Sequence, residues 1–226
     1  MGIKKSLALV LGASALSYGM VKLLEPIDAL EKKFSQEVPS YVDKNLSSII
    51  SNQEKILNIE YPQNLAIEYY VQEEDSLGII EEGFYLNDTI YINLSHTVAK
   101  DQNWITRALC NTYNSSDVKE IINHELGHYY IDLVSQKKLG RRWLTCANEG
   151  KYVFLSKSLI EEGICEYFRN KSNGVPIVLD NNWPKKEDFE SNDLLVYDIG
   201  PKVVAPIIDT YGNKGIEFML QNIPSE

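Results

Sequence analysis

Histidine and cysteine are scarce in this chain, basic charge is in deficit, and repeats and low-complexity stretches are absent. Only three histidines and three cysteines occur among 226 residues. Cys110, Cys146 and Cys165 are odd in number and form no CxxC pair, which argues against a disulfide framework and against an all-cysteine zinc site. A single Cys110–Cys146 bridge stays open if the domain meets an oxidising compartment. Buried thiols behaving as small hydrophobes are the plainer expectation. Basic residues number 22 against 32 acidic ones, giving a formal net charge of −10. Without a basic face, nucleic-acid binding is not expected. Hydrophobic and charged fractions of 44% and 24% are those of a globular chain.

The N-terminus also falls short of something. Met1–Lys5 is a short basic start, and residues 6–21 carry no charge. That run is shorter than the ~20 residues that span a bilayer comfortably. Lys22 could snorkel and let Leu23 and Leu24 contribute, while Ala13-Ser14-Ala15 offers a signal-peptidase site. Residues 1–24 therefore read equally well as a signal peptide or a membrane anchor. Either one puts the remainder outside the cytoplasm, secreted or membrane-anchored. Residues 25–56 read as a helical stalk or N-terminal helices, with an apolar stripe through Val42, Leu46, Ile49, Ile50 and Ile56 and a break expected at Pro39.

Residues 57–226 read as one domain. Between Leu57 and Val71 apolar residues alternate, which predicts a strand, and Gly83–Ser95 reads as a hairpin turning at Asn87-Asp88. From Asp117 the period becomes helical. Asp117 and Glu120 have capping-box spacing, and Gly140 suits a C-terminus, so a helix is expected over 118–138. It is apolar on more than one face, as a central, mostly buried helix would be. Further helices are expected at 155–170, 192–210 and 213–222, with Pro206 kinking or interrupting the third. Strands followed by helices predict an α+β domain.

The chemistry concentrates in His124-Glu125-Leu126-Gly127-His128, which holds two of the three histidines. Residues four apart on a helix share a face about 5–6 Å apart. Two imidazoles so placed can bind one Zn²⁺, and Glu125 on the adjacent face can serve as general base. Gly127 in mid-helix costs ~1 kcal/mol relative to alanine, which implies close approach of another backbone. A third ligand is still required. Val134 occupies the place where a further histidine would extend the motif, and His96 is the only other imidazole. The better source is the segment 159–168, where Glu162 and Glu166 share a helical face. One can ligate while the other orients an imidazole.

His124-Glu-x-x-His128 followed by Glu162-Gly-x-x-Glu166-Tyr resembles the gluzincin clan of zinc metallopeptidases, in its compact single-domain form. The resemblance implies a zincin-like fold: a small mixed sheet, its edge strand at Ile90–Leu94 packed on the active-site helix, and further C-terminal helices. It makes Glu162 the third zinc ligand, beside His124 and His128, and Glu166 the carboxylate that orients a ligating histidine. Tyr197-Asp-Ile-Gly200 is similar to the Tyr-x-x-Gly of clan aminopeptidases, whose tyrosine stabilises the oxyanion. The Gly-x-Met-Glu-Asn signature of those exopeptidases is missing, so an endopeptidase is implied.

The expected activity is hydrolysis of peptide or protein substrates by a zinc-activated water, with Glu125 as base and Tyr197, or His96, as oxyanion donor. The alternative is a non-catalytic module of the same fold that binds protein at the cell surface. An intact Glu125 favours the enzyme.

Overall fold

The computed structural model describes residues 27–62, 65–70, 83–94, 115–143, 151–179, 183, 188 and 195–223. The chain divides into two compact units. One comprises 44–68, 83–92 and 116–226, and the other 1–43, 69–82 and 93–115. Five helices and a three-stranded sheet make the described part α+β. No helix among the described residues is long and apolar enough to cross a membrane. The expected signal or anchor at 1–24 lies outside them, as do His96, Cys110 and Cys146.

Helix α1 spans Ile27–Leu57 and runs through Pro39, where a break was expected. Proline removes one N–H and crowds the carbonyl one turn earlier. The many other turns of a 31-residue helix outlast that local loss. The helix ends at Asn58, whose φ of 53° is a left-handed conformation that asparagine tolerates. Consequently the strand expected from Leu57 shrinks to β1, Ala66–Tyr70. The apolar residues before it dock back instead. The Tyr61 hydroxyl hydrogen-bonds to Gln53, and its backbone N–H donates to Glu54 Oε1 at 2.8 Å. Their alternation reflects that docking and not a strand.

Strands β2 (Gly83–Leu86) and β3 (Thr89–Asn93) form the expected hairpin. Asn87 and Asp88 both take positive φ, 51° and 63°, as a two-residue turn of the primed kind requires. The strand order is β1-β3-β2. This corrects the expectation that Ile90–Leu94 lies at an edge. Among the described residues β3 is central, and Ile90 and Ile92 are fully buried. The edges are β1 and β2. It is β2 that lies beside the long central helix, because a Cβ added at Gly83 would stand 2.8 Å from Ile121 Cγ2 and 3.8 Å from Glu125 Cγ.

That central helix, α2, spans Ser115–Leu139 and begins before the expected cap, so Asp117 sits inside its first turn. Its buried residues include Ile122, Leu126, Tyr129 and Ile131, with Asn123, Glu125 and Asp132 among them. Gly140 closes it at φ 67°, with its N–H donating to Gln136 O at 3.1 Å. Helix α3 (Lys151–Asn173), helix α4 (Leu195–Tyr211) and helix α5 (Asn213–Asn222) follow. Pro206 interrupts nothing, since α4 continues past it to Tyr211.

Two glycine contacts fix how these helices meet. A Cβ on Gly127 would lie 2.7 Å from Cys165 Cα, so α2 and α3 touch backbone to side-chain root, as a mid-helix glycine implied. A Cβ on Gly163 would lie 2.6 Å from the Gly200 backbone, joining α3 to α4 in the same manner. Glu162 is thus carried on a helix wedged closely between two others.

Candidate metal centre

Helices α2 and α3 run antiparallel through the centre, which follows from their pairings: His124 meets Glu166, Gly127 meets Cys165, and His128 meets Glu161. One turn of α2 places both imidazoles on the face that looks at α3, with ring centroids 5.1 Å apart. Their Nε2 atoms converge on Glu162 Oε2, at 3.3 Å from His124 and 3.7 Å from His128. The two outer nitrogens are braced by different carboxylates. Nδ1 of His124 faces Glu166 Oε1 at 3.0 Å, and Nδ1 of His128 faces Glu161 Oε1 at 3.0 Å. A carboxylate can only accept, so each brace keeps a proton on Nδ1 and turns Nε2 inward.

The bracing carboxylates are themselves held. Glu166 Oε2 pairs with Arg169 Nη2 at 2.6 Å, and Glu161 Oε2 accepts from the Trp143 indole at 3.0 Å. Glu166, expected from the sequence to orient an imidazole, lies against that of His124. Glu161 and Trp143 were missed. The available signal was the consecutive pair Glu161-Glu162: neighbours on a helix point about 100° apart, so one can face the inner nitrogens while the other reaches round to an outer one. Trp143 left no such trace, since it comes from the turn after α2.

The charges are strongly coupled. Burial opposes protonation of His124, but the Glu162 and Glu166 carboxylates outweigh it and push the imidazole up to about 10. For His128 burial is likewise overcome, here by Glu162 and Glu161, and its value rises to about 9. Burial would raise Glu162, yet the two imidazoles beside it hold its carboxyl below the ordinary value. Glu125 is buried at 4% exposure, and its charge contributes to the upward shift of both histidines, so it belongs to the same cluster.

No family model, curated protein or solved structure matches this chain. The centre has to be interpreted from its own geometry.

The donor set fits a divalent ion. Glu162 Oε2 is buried and completes no hydrogen bond, although two imidazole nitrogens stand close to it. Without a metal this buried oxygen relies on long ion pairs to the two imidazoles, and a cation held between the three groups would satisfy it better. Two donors each ~2.1 Å from one tetrahedral ion are separated by about 3.4 Å. The observed 3.3 and 3.7 Å are of that size.

Cys165 is a competing third donor, because its Sγ and one nitrogen of each histidine lie within 4.8 Å of one another. Ligation requires the thiolate. Burial, and then the charges of Glu162, Glu161 and Glu125, push this thiol well up. Its backbone is also clamped against Gly127. Glu162 needs no such deprotonation, since its carboxyl is held below the ordinary value.

Tyr197, on the first turn of α4, stands with its ring 6.2 Å from that of His124 and is 41% exposed. Burial, reinforced by Glu162, pushes its hydroxyl up, so it stays a proton donor across the whole neutral range.

Proposed function

We propose that this protein is a zinc-dependent peptidase of the gluzincin type, built on a zincin-like fold. His124, His128 and Glu162 hold the metal, and Glu125 acts as general base. The observation that carries this reading is the convergence of two inward-turned imidazole nitrogens on an orphaned, buried carboxylate oxygen, with a second buried carboxylate, Glu125, beside them.

Bound zinc would polarise the scissile carbonyl and bring the pKa of water towards ~7. The residues do the rest. Glu125 takes the proton of the attacking water and returns it to the leaving amide nitrogen, so one carboxylate serves as base and then as acid. The Tyr197 hydroxyl, protonated and facing the His124 side of the centre, donates to the oxygen on which charge develops. An extended peptide would lie along β2, which among the described strands is an edge and passes beside Glu125. Peptide-bond hydrolysis suits that arrangement better than ester hydrolysis, because an edge strand recognises backbone amides.

Elemental analysis combined with a peptide-library digest tests this reading. The parent protein is expected to carry one zinc per chain and to cleave internal bonds. Glu125→Gln should keep the metal and lose about 10²–10⁴ in rate. A Glu125→Gln variant as active as the parent would overturn the mechanism, and a metal-free, inactive parent would favour the protein-binding module.

A further inference from the structure

Asp132 is buried at 3% exposure about one turn after His128 on α2, and it gathers several donors. Its Oδ2 accepts from the Tyr85 hydroxyl at 2.9 Å and from Gln136 Nε2 at 3.1 Å, and pairs with Arg142 Nη1 at 3.2 Å. Its Oδ1 accepts the backbone N–H of Trp143 at 3.1 Å. Arg142 in turn reaches Asp88 Oδ2 at 2.8 Å, in the hairpin turn, and Ser135 Oγ donates to Arg141 O at 2.8 Å. Together these contacts fold the segment after α2 back onto its own helix. From this segment the Trp143 indole donates to Glu161 Oε2 at 3.0 Å.

We propose that Trp143 is a positioning residue for His128, acting through Glu161. The inference rests on the proposed metal centre. Glu161 links the two side chains: Oε1 faces His128 Nδ1 and Oε2 accepts the indole N–H, each at 3.0 Å. An indole nitrogen only donates. It therefore fixes the plane of the carboxylate without competing for the imidazole proton. That plane sets the ring angle of His128 and keeps its Nδ1 protonated, so Nε2 remains the ligating atom. The carboxylate that braces His124 is held by an arginine, whereas the one that braces His128 is held by a tryptophan. The two halves of the centre are thus secured differently.

This chain of donors has an unusual consequence for a double variant. In Glu161→Gln the amide must present its NH2 either to the indole N–H, a donor facing a donor, or to His128 Nδ1, which then surrenders its proton and moves it to Nε2. Both arrangements weaken metal binding. Trp143→Phe replaces the indole by a smaller phenyl ring and deletes the N–H, which removes the conflict.

Zinc affinity, measured by competition with a chromogenic chelator, provides the test without reference to activity. Trp143→Phe alone should weaken binding up to about tenfold, and Glu161→Gln by about 10–100-fold. The double variant should bind more tightly than Glu161→Gln alone. A tryptophan that only packs would add its loss to that of the glutamine. If the parent binds zinc while Trp143→Phe binds equally well, or the double variant binds more weakly than Glu161→Gln, the positioning role is wrong and the metal centre stands. A parent that binds no zinc overturns the metal centre, and this role with it. Should Trp143→Phe fold poorly, the parent still decides: its Trp143 indole ¹H–¹⁵N signal, assigned by replacing Trp104 and Trp183 in turn, must shift on adding zinc, and an unmoved signal overturns the proposal.

Discussion

At the scale of residues, the centre is a small set of charges whose balance depends on pH. In the metal-free protein His124 and His128 are raised to about 10 and about 9, above the ordinary imidazole value of 6.5. A raised group stabilises the fold fully below its unfolded pKa and loses that contribution as pH climbs through the folded value. Glu162, held low, works in the opposite sense and loses its contribution only as pH falls through its depressed value. The chelated protein should therefore lose thermal stability as pH rises from neutral to about 10. Glu162→Gln should flatten that decline, and a parent Tm unchanged over the same range would contradict the coupling. Metal must displace the protons on both imidazoles, so apparent zinc affinity should increase with pH and binding should release about two protons per ion near neutrality. Calorimetry in buffers of different ionisation enthalpy measures that number directly. Release of none would mean the imidazoles are not ligands.

At the scale of elements, three helices are pinned by glycines. Gly127 brings α2 onto Cys165 of α3, and Gly163 brings α3 onto Gly200 of α4. Gly127→Ala forces apart the helices that carry the histidines and Glu162. It should cost roughly 1–3 kcal/mol, a Tm loss of several degrees for a chain of this size, together with weaker zinc binding. Parent-like Tm and affinity would show that the close approach is not needed. Much of this was legible in the sequence. The hairpin turn at Asn87-Asp88 and the helix through His124–His128 follow from local rules of turn chemistry and periodicity. The cost of a glycine inside α2 pointed correctly to a neighbouring backbone. Other features were not local. Pro39 reads as a break and Pro206 as a kink or interruption, yet α1 and α4 run through them. The strand expected from Leu57 starts only at Ala66, because Tyr61 docks on Gln53 and Leu126 of two helices. Strand order was invisible as well, since nothing in Ile90–Leu94 says whether one neighbour or two will pair with it.

At the scale of the whole molecule, the larger compact unit contains every described residue of the candidate centre. The HExxH spacing located the two imidazoles, and the Glu162–Glu166 spacing located two of the three α3 carboxylates around them. Glu161 and Trp143 could not be found the same way. Their role depends on the antiparallel pairing of α2 with α3 and on a turn folded back by Asp132, both tertiary facts. Metal bound by side chains from α2 and α3 would tie those helices together, so folding and metal loading should be linked.

The most direct measurement is the X-ray absorption spectrum at the zinc edge of the loaded protein. With His124, His128 and Glu162 as ligands, the first shell holds nitrogen and oxygen only, at ~2.0–2.2 Å, with imidazole scattering from two histidines. A sulfur scatterer at ~2.3 Å would mean that Cys165 takes the position of Glu162, and would contradict a centre built from two imidazoles and a carboxylate.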